Sequence, residues 1–211
     1  MSSNMQNNFQ KTKDVVVGLK KYYKGKTLDL GAGTAKYRNI IKPNVTEYIT
    51  CDMFPGENVD IVENVLDLSF DDSSFDTVIS TQVMEHVSRP WVMMQEVARI
   101  LRKDGHCIIT APFLVPYHAD PYDYYRYTTE GMKALADSVG LEVVEVGSYG
   151  RSGIVFSEFL HFTLFNPYKK LNKTRSKLFG LIQKFLFKID KIFSEKSPIY
   201  ANVFLVAKKV K

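Results

Sequence analysis

Cysteine is scarce in this sequence, with two residues in 211. Cys51 and Cys107 stand in apolar stretches, and neither belongs to a CxxC or CxxH spacing. Isolated cysteines in such surroundings are typical of small buried side chains in a reducing compartment. The sequence therefore predicts no zinc site, and no other metal is expected.

Long hydrophobic runs are missing as well. No apolar stretch approaches the roughly 20 residues that a membrane-spanning helix needs. Residues 1–14 are polar and lack the apolar segment of a secretion signal. We therefore expect a cytoplasmic protein, and the basic segment described next leaves open peripheral contact with the inner membrane surface.

The net charge of +5 is unevenly distributed along the chain. Residues 167–211 carry 12 Lys and Arg against 2 Asp and Glu, whereas residues 1–166 carry 16 against 21. The basic character therefore belongs to the C-terminal segment, and the rest of the chain is acidic. This distribution argues against a general nucleic-acid-binding surface, so no nucleic-acid partner is expected.

Strand and helix signals alternate from residue 14 to about residue 148, which predicts βαβ units and a parallel sheet. Several strands are nearly continuous apolar runs, as expected when both faces of a sheet are covered. The predicted strands are Thr27–Leu30, Tyr48–Asp52, Ile61–Asn64, Phe75–Ser80, His106–Ala111, Leu141–Gly147 and Ala201–Ala207. The predicted helices span residues 12–23, 35–42, 91–102 and 129–139, and the third is expected to end at Arg102 and Lys103.

The most informative short motif is TLDLGAGTA, residues 27–35. An apolar strand ends at Asp29, and Gly31 and Gly33 then open a tight turn into a helix. Glycine suits this turn because it lacks a Cβ atom, so the backbone can adopt positive φ and approach a ligand closely. Asp52 ends the second strand, 21 residues after Gly31. A doubly wound fold places there a carboxylate that accepts hydrogen bonds from ribose hydroxyls.

The third small residue of the loop distinguishes two kinds of cofactor. A dinucleotide-binding G-x-G-x-x-G motif requires a small residue at position 36, where the sequence has Lys36. The spacing G-x-G-x-G requires one at position 35, where the sequence has Ala35. S-adenosylmethionine has no pyrophosphate, so the loop need accommodate only its amino-acid part and ribose. The pattern favours S-adenosylmethionine over a nicotinamide cofactor, with a purely structural turn as the alternative.

Residues 65–112 carry several further motifs in a fixed order. The segment LDLSFDDSSFD precedes an apolar strand, and E-H-V, E-x-A-R-x-L and a glycine turn follow it. Together with residues 26–52, this stretch resembles the type 11 group of class I S-adenosylmethionine-dependent methyltransferases. The resemblance implies a Rossmann-like, doubly wound α/β fold. Its sheet would have seven strands, the last one antiparallel, with helices on both faces and a helical insertion before the last strand.

The resemblance also assigns roles to single residues. Asp29, Gly31 and Gly33 would surround the methionine part of the cofactor. The other implied contacts are Asp52 with the ribose, Met53 and Leu68 beside the adenine, Asp67 with the adenine amino group, and Ser80, Thr81 and Gln82 near the sulfonium. A helix cap or solvated acid is the alternative for Asp67. The sequence departs from the family pattern at Ala35, in place of a third glycine, and at residues 103–105, in place of a Pro-Gly-Gly turn.

We expect a single methyltransferase domain over residues 1–211. It would comprise an N-terminal helical cover at 1–25 and a cofactor-binding core at 26–150. An aromatic and basic helical insertion would occupy 151–200, and the last strand 201–211.

Two histidines compete for the role of catalytic base. Methyl transfer mainly requires alignment and exclusion of water, but a hydroxyl or ammonium acceptor must also lose a proton. His86 follows Glu85 just after the fourth strand. His118 lies in the long aromatic loop that follows the fifth strand, where functional loops of this fold tend to occur. His118 is the stronger candidate, and packing is the alternative for His86.

Residues 112–128, PFLVPYHADPYDYYRYT, also offer groups that could bind an acceptor. A similar H-x-D-P-x-D-Y-x-R-Y-T run occurs in a subset of the type 11 family often linked to sugar or glycan pathways. Arg126 could hold an anionic acceptor bidentately, and Tyr124 and Tyr125 offer ring faces and hydroxyls. The alternative is structural, with internal pairing among Asp120, Asp123 and Arg126 and a helix cap at Thr128.

Residues 177–193 alternate apolar and basic residues with a helical period. The apolar face would carry Leu178, Leu181, Ile182, Phe185, Ile189 and Ile192, and the basic face Lys177, Lys184, Lys188 and Lys191. An apolar patch precedes this segment, formed by Phe156, Phe159, Leu160, Phe162, Leu164 and Phe165. Three interpretations stay open: a helical cover, a lid that meets a membrane or lipid-linked acceptor, and a homodimer contact.

These observations lead to three hypotheses about function. The first is a methyltransferase that acts on an oxygen or nitrogen of a small-molecule or glycan-related acceptor and leaves S-adenosylhomocysteine. The second is a quinone or lipid methyltransferase at a membrane surface. The third is a module that binds S-adenosylmethionine without turnover, because no single residue is an unmistakable base.

Overall fold

A seven-stranded sheet forms the centre of the computed structural model, which describes residues 9–164, 177, 179–186, 188 and 198–211. The strands are β1 (Lys26–Leu30), β2 (Glu47–Asp52), β3 (Ile61–Val62), β4 (Phe75–Thr81), β5 (Leu101–Pro112), β6 (Leu141–Arg151) and β7 (Tyr200–Lys209). Their order is β3-β2-β1-β4-β5-β7-β6. The pairs from β3 to β5 are parallel, and β7 is antiparallel to both of its neighbours. The predicted doubly wound sheet with an antiparallel last strand is confirmed.

Within the described residues, five α-helices with defined bounds accompany the sheet, in addition to a helical stretch at residues 179–186. They are α1 (Thr12–Gly18), α2 (Arg38–Ile41), α3 (Pro90–Ile100), α4 (Thr129–Ser138) and α5 (Ser152–Leu164). Short 3₁₀ helices cover Lys20–Tyr22, Lys42–Asn44 and Met84–His86. None of the helices in the described part of the chain is long and apolar enough to cross a membrane.

Three predicted helix boundaries were wrong. The first helix, predicted over residues 12–23, ends at Gly18, and a 3₁₀ helix follows at Lys20–Tyr22. The helix predicted to begin at residue 35 begins at Arg38, because Ala35 adopts a left-handed φ of 51° that interrupts a right-handed helix. The helix predicted to end at Arg102 and Lys103 ends at Ile100, and both residues belong to β5. Arg102 instead donates to the Asp76 carboxylate at 2.7 Å.

The core fills both faces of the sheet. Alternate residues of one strand face opposite sides, so Ile108 packs with the helices of the N-terminal part while Cys107 and Ile109 join the larger cluster around α3 and α4. Both cysteines are buried free thiols, as predicted. Burial raises the pKa of the Cys51 and Cys107 thiols to about 12, which is consistent with a packing role.

The insertion predicted at residues 151–200 is only partly described. Helix α5 packs on the sheet through Ile154 and Val155, while several of its apolar side chains are exposed: Phe156, Phe159 and Leu164. Residues 179–186 are helical, and Gln183 donates to Ser157 of α5 at 3.1 Å. The exposed set there is Lys177, Leu181, Lys184, Phe185 and Lys188, and Ile182, Leu160 and Phe162 are half-buried. The predictions for Phe165, Leu178, Ile189, Lys191 and Ile192 lie outside the described residues.

Candidate active site

A cleft of about 570 Å³ opens at the carboxyl ends of β1, β2 and β4. Parallel strands bring their carboxyl ends to one edge of the sheet, where this fold binds ligands. Seven of the ten predicted cofactor contacts line the cleft: Asp29, Gly31, Gly33, Asp52, Met53, Thr81 and Gln82. The structure therefore brings together residues that are up to 53 positions apart in the sequence.

The glycine loop shapes one wall of the cleft. The N–H groups of Gly31 and Ala32 donate to the Cys51 carbonyl at 2.8 and 3.0 Å, which ties the end of β1 to β2. Gly31 has φ of 73°, and a Cβ atom there would lie 2.3 Å from a methyl carbon of Val83. Gly33 has φ of 54°, and a Cβ there would meet nothing within 4 Å. Gly31 is thus required by packing, whereas Gly33 leaves space for a ligand.

Asp52 holds the same loop from the opposite side. One oxygen of its carboxylate accepts the Gly33 N–H at 2.8 Å, and the other accepts the Phe54 N–H at 3.1 Å. A carboxylate offers about four lone-pair directions, so these two bonds leave acceptor capacity for a ligand hydroxyl. The loop and the carboxylate therefore form one unit, with the backbone N–H groups fixing the acid.

Asp29 is a buried acid at the base of the cleft, with 4% of its surface exposed. Burial raises the pKa of its carboxyl to about 6, and a hydrogen bond from the Tyr48 hydroxyl opposes this shift. A carboxylate that is poorly hydrated is a strong partner for a cation that enters the cleft. The ammonium group of an amino acid is such a cation.

Gln82 links the cleft to the N-terminal helix. It adopts a left-handed φ of 56°, and its amide nitrogen donates to Thr110 and to the Tyr149 hydroxyl, both at 3.2 Å. The buried Tyr149 hydroxyl also lies 3.0 Å from the Thr12 hydroxyl at the start of α1. A strained backbone that several hydrogen bonds hold in place is typical of a functional site.

Three predicted contacts lie away from the cleft. Ser80 is buried and donates to the Leu30 carbonyl at 2.8 Å, and Leu68 is buried in the core. Asp67 is exposed. For Asp67 and Leu68 the difference begins in the turn after β3, where the Asn64 side chain accepts the Leu66 N–H at 3.0 Å and Val65 lines the cleft.

Sequence reasoning missed the apolar wall of the cleft. The loop after β2 contributes four of these residues, Phe54, Pro55, Gly56 and Val59, and the loop after β3 contributes Val65. The segment MFPGENV carries a signal that could have found this wall. It is a turn sequence that contains a large apolar residue, Phe54, and that residue is 55% exposed.

Arg126 uses all five of its N–H donors for hydrogen bonds within the loop after β5. Its guanidinium pairs with both oxygens of Asp123 and donates to the carbonyls of Val115, Pro116 and Tyr125. No donor is left for an acceptor molecule, so the predicted substrate role of Arg126 is replaced by the structural alternative. Thr128 caps α4 by accepting the Gly131 N–H at 3.0 Å, as that alternative expected. Asp120 does not join the pairing; it lines the cleft with Pro121.

The two tyrosines predicted to bind an acceptor differ in their environment. The Tyr125 hydroxyl donates to the Ser88 carbonyl at 3.1 Å, and its ring packs partly on the core. The Tyr124 side chain is exposed, and its backbone N–H donates to the Glu85 carbonyl at 2.8 Å. Tyr124 therefore offers both a ring face and a hydroxyl, whereas Tyr125 offers mainly a ring.

A polar cluster of Glu85, His86 and His118 lies where the loop after β5 crosses the end of β4. His86 lines the cleft, and the two imidazole rings are 5.4 Å apart. The Nε2 atoms of His86 and His118 lie 3.7 and 3.8 Å from Oε1 of Glu85. The Glu85 carboxylate raises the pKa of His118, against the opposing effect of burial. Both candidate bases therefore lie next to each other and next to the buried acid Glu85.

A family described as a methyltransferase domain matches residues 28–109. No curated protein matches the chain in sequence. The match covers β1 to β5, which includes the glycine loop, Asp52 and the polar pair Glu85 and His86. The loop that carries His118 and Arg126 lies beyond it.

Several solved structures share the whole fold at low identity. An S-adenosylmethionine-dependent methyltransferase from Archaeoglobus fulgidus is 15% identical, with a TM-score of 0.62 over 94% of this chain and 95% of that one. A geranyl diphosphate C-methyltransferase from Streptomyces coelicolor is 11% identical, with a TM-score of 0.62 over 94% and 77%. The cyclase SpnF is 16% identical, with a TM-score of 0.62 over 94% and 80%. At these identities the likeness shows the fold alone.

Proposed function

Since the chain is a class I S-adenosylmethionine-dependent methyltransferase, we propose that it methylates an oxygen or nitrogen of a small-molecule or glycan-related acceptor. One observation carries the proposal: Asp120 and Pro121 of the loop after β5 line the same cleft as Gly31 and Gly33. The loop expected to bind the acceptor therefore borders the space expected to hold the methyl donor.

The cofactor residues fit the donor by chemistry. Gly33 leaves open space beside the loop, and Asp52 keeps acceptor capacity for ribose hydroxyls. The buried Asp29 suits the ammonium group of the methionine part, while Met53 and the apolar wall suit the adenine ring. When bound, S-adenosylmethionine supplies a methyl group on a sulfonium, which is already an activated leaving group. Thr81 and Gln82 would border that end of the cofactor.

On the acceptor side the chain supplies position and a route for the proton. Tyr124, with Tyr125 beside it, would hold the acceptor by its ring face, and Arg126 keeps the loop in shape. A hydroxyl or amine acceptor loses a proton as its lone pair attacks the methyl carbon. His118, with His86 next to it, lies where that proton would leave. Closure of the loop over the cleft would exclude water and align the two reactants.

An acceptor screen with a labelled methyl donor tests the proposal. We expect label in a small polar or glycan fraction of a cell extract, with matching release of S-adenosylhomocysteine. His118→Asn should lower the transfer rate by roughly 100-fold or more, because general base catalysis contributes about 10²–10⁴-fold. His106→Asn, in the middle of β5 and outside the lining of the cleft, is the matched control and should transfer at the wild-type rate. Tight donor binding without transfer to any fraction would instead support the non-catalytic module.

A lipid or quinone acceptor at a membrane surface is the second candidate. It is favoured by the exposed pair Leu181 and Phe185 beside Lys177, Lys184 and Lys188, and by exposed Phe156 on α5. Label in the organic-solvent fraction, together with salt-sensitive sedimentation with anionic vesicles, would favour this candidate. Absence of both would exclude it.

A further inference from the structure

Glu85 is a buried acid whose two oxygens have no hydrogen-bond donor. Its side chain is fully buried, at 0% exposure, and neither carboxylate oxygen has a partner in the described residues. A buried carboxylate without a partner costs several kcal/mol, so such a group calls for a cation or a proton beside it. In the described part of the chain, the cationic or potentially cationic side chains within 4 Å of its oxygens are His86 and His118.

The two imidazoles face Glu85 with their Nε2 atoms, at 3.7 and 3.8 Å, which is too long for a hydrogen bond. In His118, Nδ1 lies 2.9 Å from the Pro116 carbonyl, and in His86, Nδ1 contacts the Tyr122 carbonyl. A carbonyl oxygen can only accept, so each Nδ1 carries the hydrogen. In a neutral imidazole the lone pair is then on Nε2, the atom that faces Glu85. With both rings neutral, two nitrogen lone pairs and a carboxylate converge, which is a donor set that suits a metal ion.

We propose that Glu85, His86 and His118 bind a divalent transition-metal ion of the zinc type at the edge of the cleft. One ligand atom from each residue lies within 4.8 Å of the others. Bonds of about 2.0–2.1 Å to a tetrahedral ion require ligand atoms about 3.3–3.4 Å apart. The observed 3.7 and 3.8 Å from Glu85 Oε1 to the two nitrogens are therefore a few tenths of an ångström wider than needed.

The surroundings agree with this assignment. Metal-binding imidazoles usually donate their other N–H to a carbonyl or carboxylate, as both rings do here. Two imidazoles and one carboxylate suit zinc, iron or cobalt rather than magnesium or calcium, and three ligands leave a position open. A nearby cation, Arg126, has an Nη2 atom 3.5 Å from His118 Nδ1, and Asp123 neutralises it. His118 is part-exposed, which gives an ion access.

The role of the ion rests on the proposed function, but its binding does not. With its Nε2 lone pair on the ion, His118 would not also accept the proton. The ion would instead polarise a hydroxyl or amine of the acceptor and lower the pKa of that group. No metal was predicted from the sequence, since the two cysteines have no ligand spacing and His118 is 33 positions from Glu85. The loop after β5 brings His118 to the other two.

Metal titration of the full, untagged chain tests the proposal. After removal of bound metal with a chelator, we expect one Zn²⁺ per chain by calorimetry and one Co²⁺ per chain by its visible absorption. Glu85→Gln and His118→Asn should each weaken binding at least about 100-fold, since even outer residues of metal sites contribute 10–100-fold. His106→Asn should bind as the wild type does, and Mg²⁺ should not compete.

Glu85→Gln keeps the shape of a buried side chain. His118 is more exposed, so His118→Asn should still fold and gives a result even if Glu85→Gln does not fold. Failure of the wild type to bind either ion stoichiometrically, or equal affinity in all three variants, would overturn the metal site. A proton shared between Glu85 and an imidazole would then explain the cluster. Calorimetry with S-adenosylmethionine on the metal-free chain separates the two proposals, because donor binding without metal binding leaves the methyltransferase assignment intact.

Discussion

The two walls of the cleft are built by different means. The donor wall, at Asp29–Ala35 and Asp52, consists of backbone whose course is set by positive φ angles and by bonds between neighbouring strands. The acceptor wall, at residues 113–128 with Glu85 and His86, consists of side chains and carbonyls joined across 36 or 37 positions. Each position of the first wall has a strict local requirement, whereas the second depends on many distant contacts together. Single substitutions should therefore have large effects in the donor wall and smaller, graded effects in the acceptor wall.

The largest effect is expected at Gly31. Gly31→Ala places a methyl group 2.3 Å from Val83 and holds alanine at φ of 73°. Left-handed strain of about 1–2 kcal/mol adds to overpacking of about 1–3 kcal/mol, so thermal or urea unfolding should show a loss of about 2–5 kcal/mol. Val83→Ala in the same chain should recover the overpacking part alone.

Gly33→Ala is the matched comparison within the donor wall. Its Cβ meets no protein atom, so the stability loss should stay near the strain of about 1–2 kcal/mol. Its affinity for S-adenosylmethionine should fall more than its stability suggests, because the methyl group enters the cleft. Equal losses of stability in the two variants would contradict the distinction between packing and ligand space.

Asp52 should have the next largest effect, measured as cofactor affinity. Asp52→Ala removes one or two hydrogen bonds to a charged acceptor, at about 1.5–3 kcal/mol each, so calorimetry should show roughly 10- to 1,000-fold weaker binding. Asp67→Ala is the control, since Asp67 is exposed and away from the cleft. An equal loss of cofactor affinity in Asp67→Ala would show that Asp67 contacts the cofactor, as the family resemblance implied.

Arg126 tests the acceptor wall. Arg126→Gln leaves the Asp123 carboxylate, which is 1% exposed, without its partner. Breaking a buried pair costs about 3–5 kcal/mol, and partial exposure of Arg126 reduces the expected loss of unfolding free energy to about 2–4 kcal/mol. Cofactor affinity should remain at the wild-type value. A variant with unchanged stability but a raised KM for the acceptor would show that Arg126 binds substrate.

Asp29 should give a stability effect of opposite sign. Its pKa of about 6 in the folded chain lies above the ordinary value of 3.8, so the native state binds more protons between these values. Stability should therefore fall as the pH rises from about 4 to 6 and level off above that. Asp29→Asn should lack this slope and be about 1–3 kcal/mol more stable at pH 7.5, measured by urea unfolding. It should also bind the donor more weakly.

The sequence predicted the donor wall well because its determinants are local. All seven strands were predicted, and the glycine turn and Asp52 lie where spacing placed them. The prediction of a methyltransferase domain that uses S-adenosylmethionine is confirmed for residues 28–109 by the family match, and the predicted fold is confirmed by the solved structures. Errors arose where backbone geometry overrode a pattern, as at Ala35 and at Asn64, whose turn directs Val65 into the cleft.

The acceptor wall was predicted only in part because its determinants are distant in sequence. Local spacing shows that Arg126 and Asp123 can pair, but it cannot show that three carbonyls use the other donors. It also cannot show that His118 meets Glu85, 33 positions earlier. The acceptor, the homodimer contact and the domain boundaries stay predictions.

Because β7 lies between β5 and β6, the two walls of the cleft should form at different times during folding. Strand β1 pairs with β2 about 20 positions away, while β5 pairs with β7 almost 100 positions away. Contacts of long sequence separation form slowly because the chain entropy must be lost first. The amide groups of Phe113 and Leu114 bond to Ala201 of β7. We therefore expect refolding to pass through a state that already binds the methyl donor while the loop after β5 is still unformed.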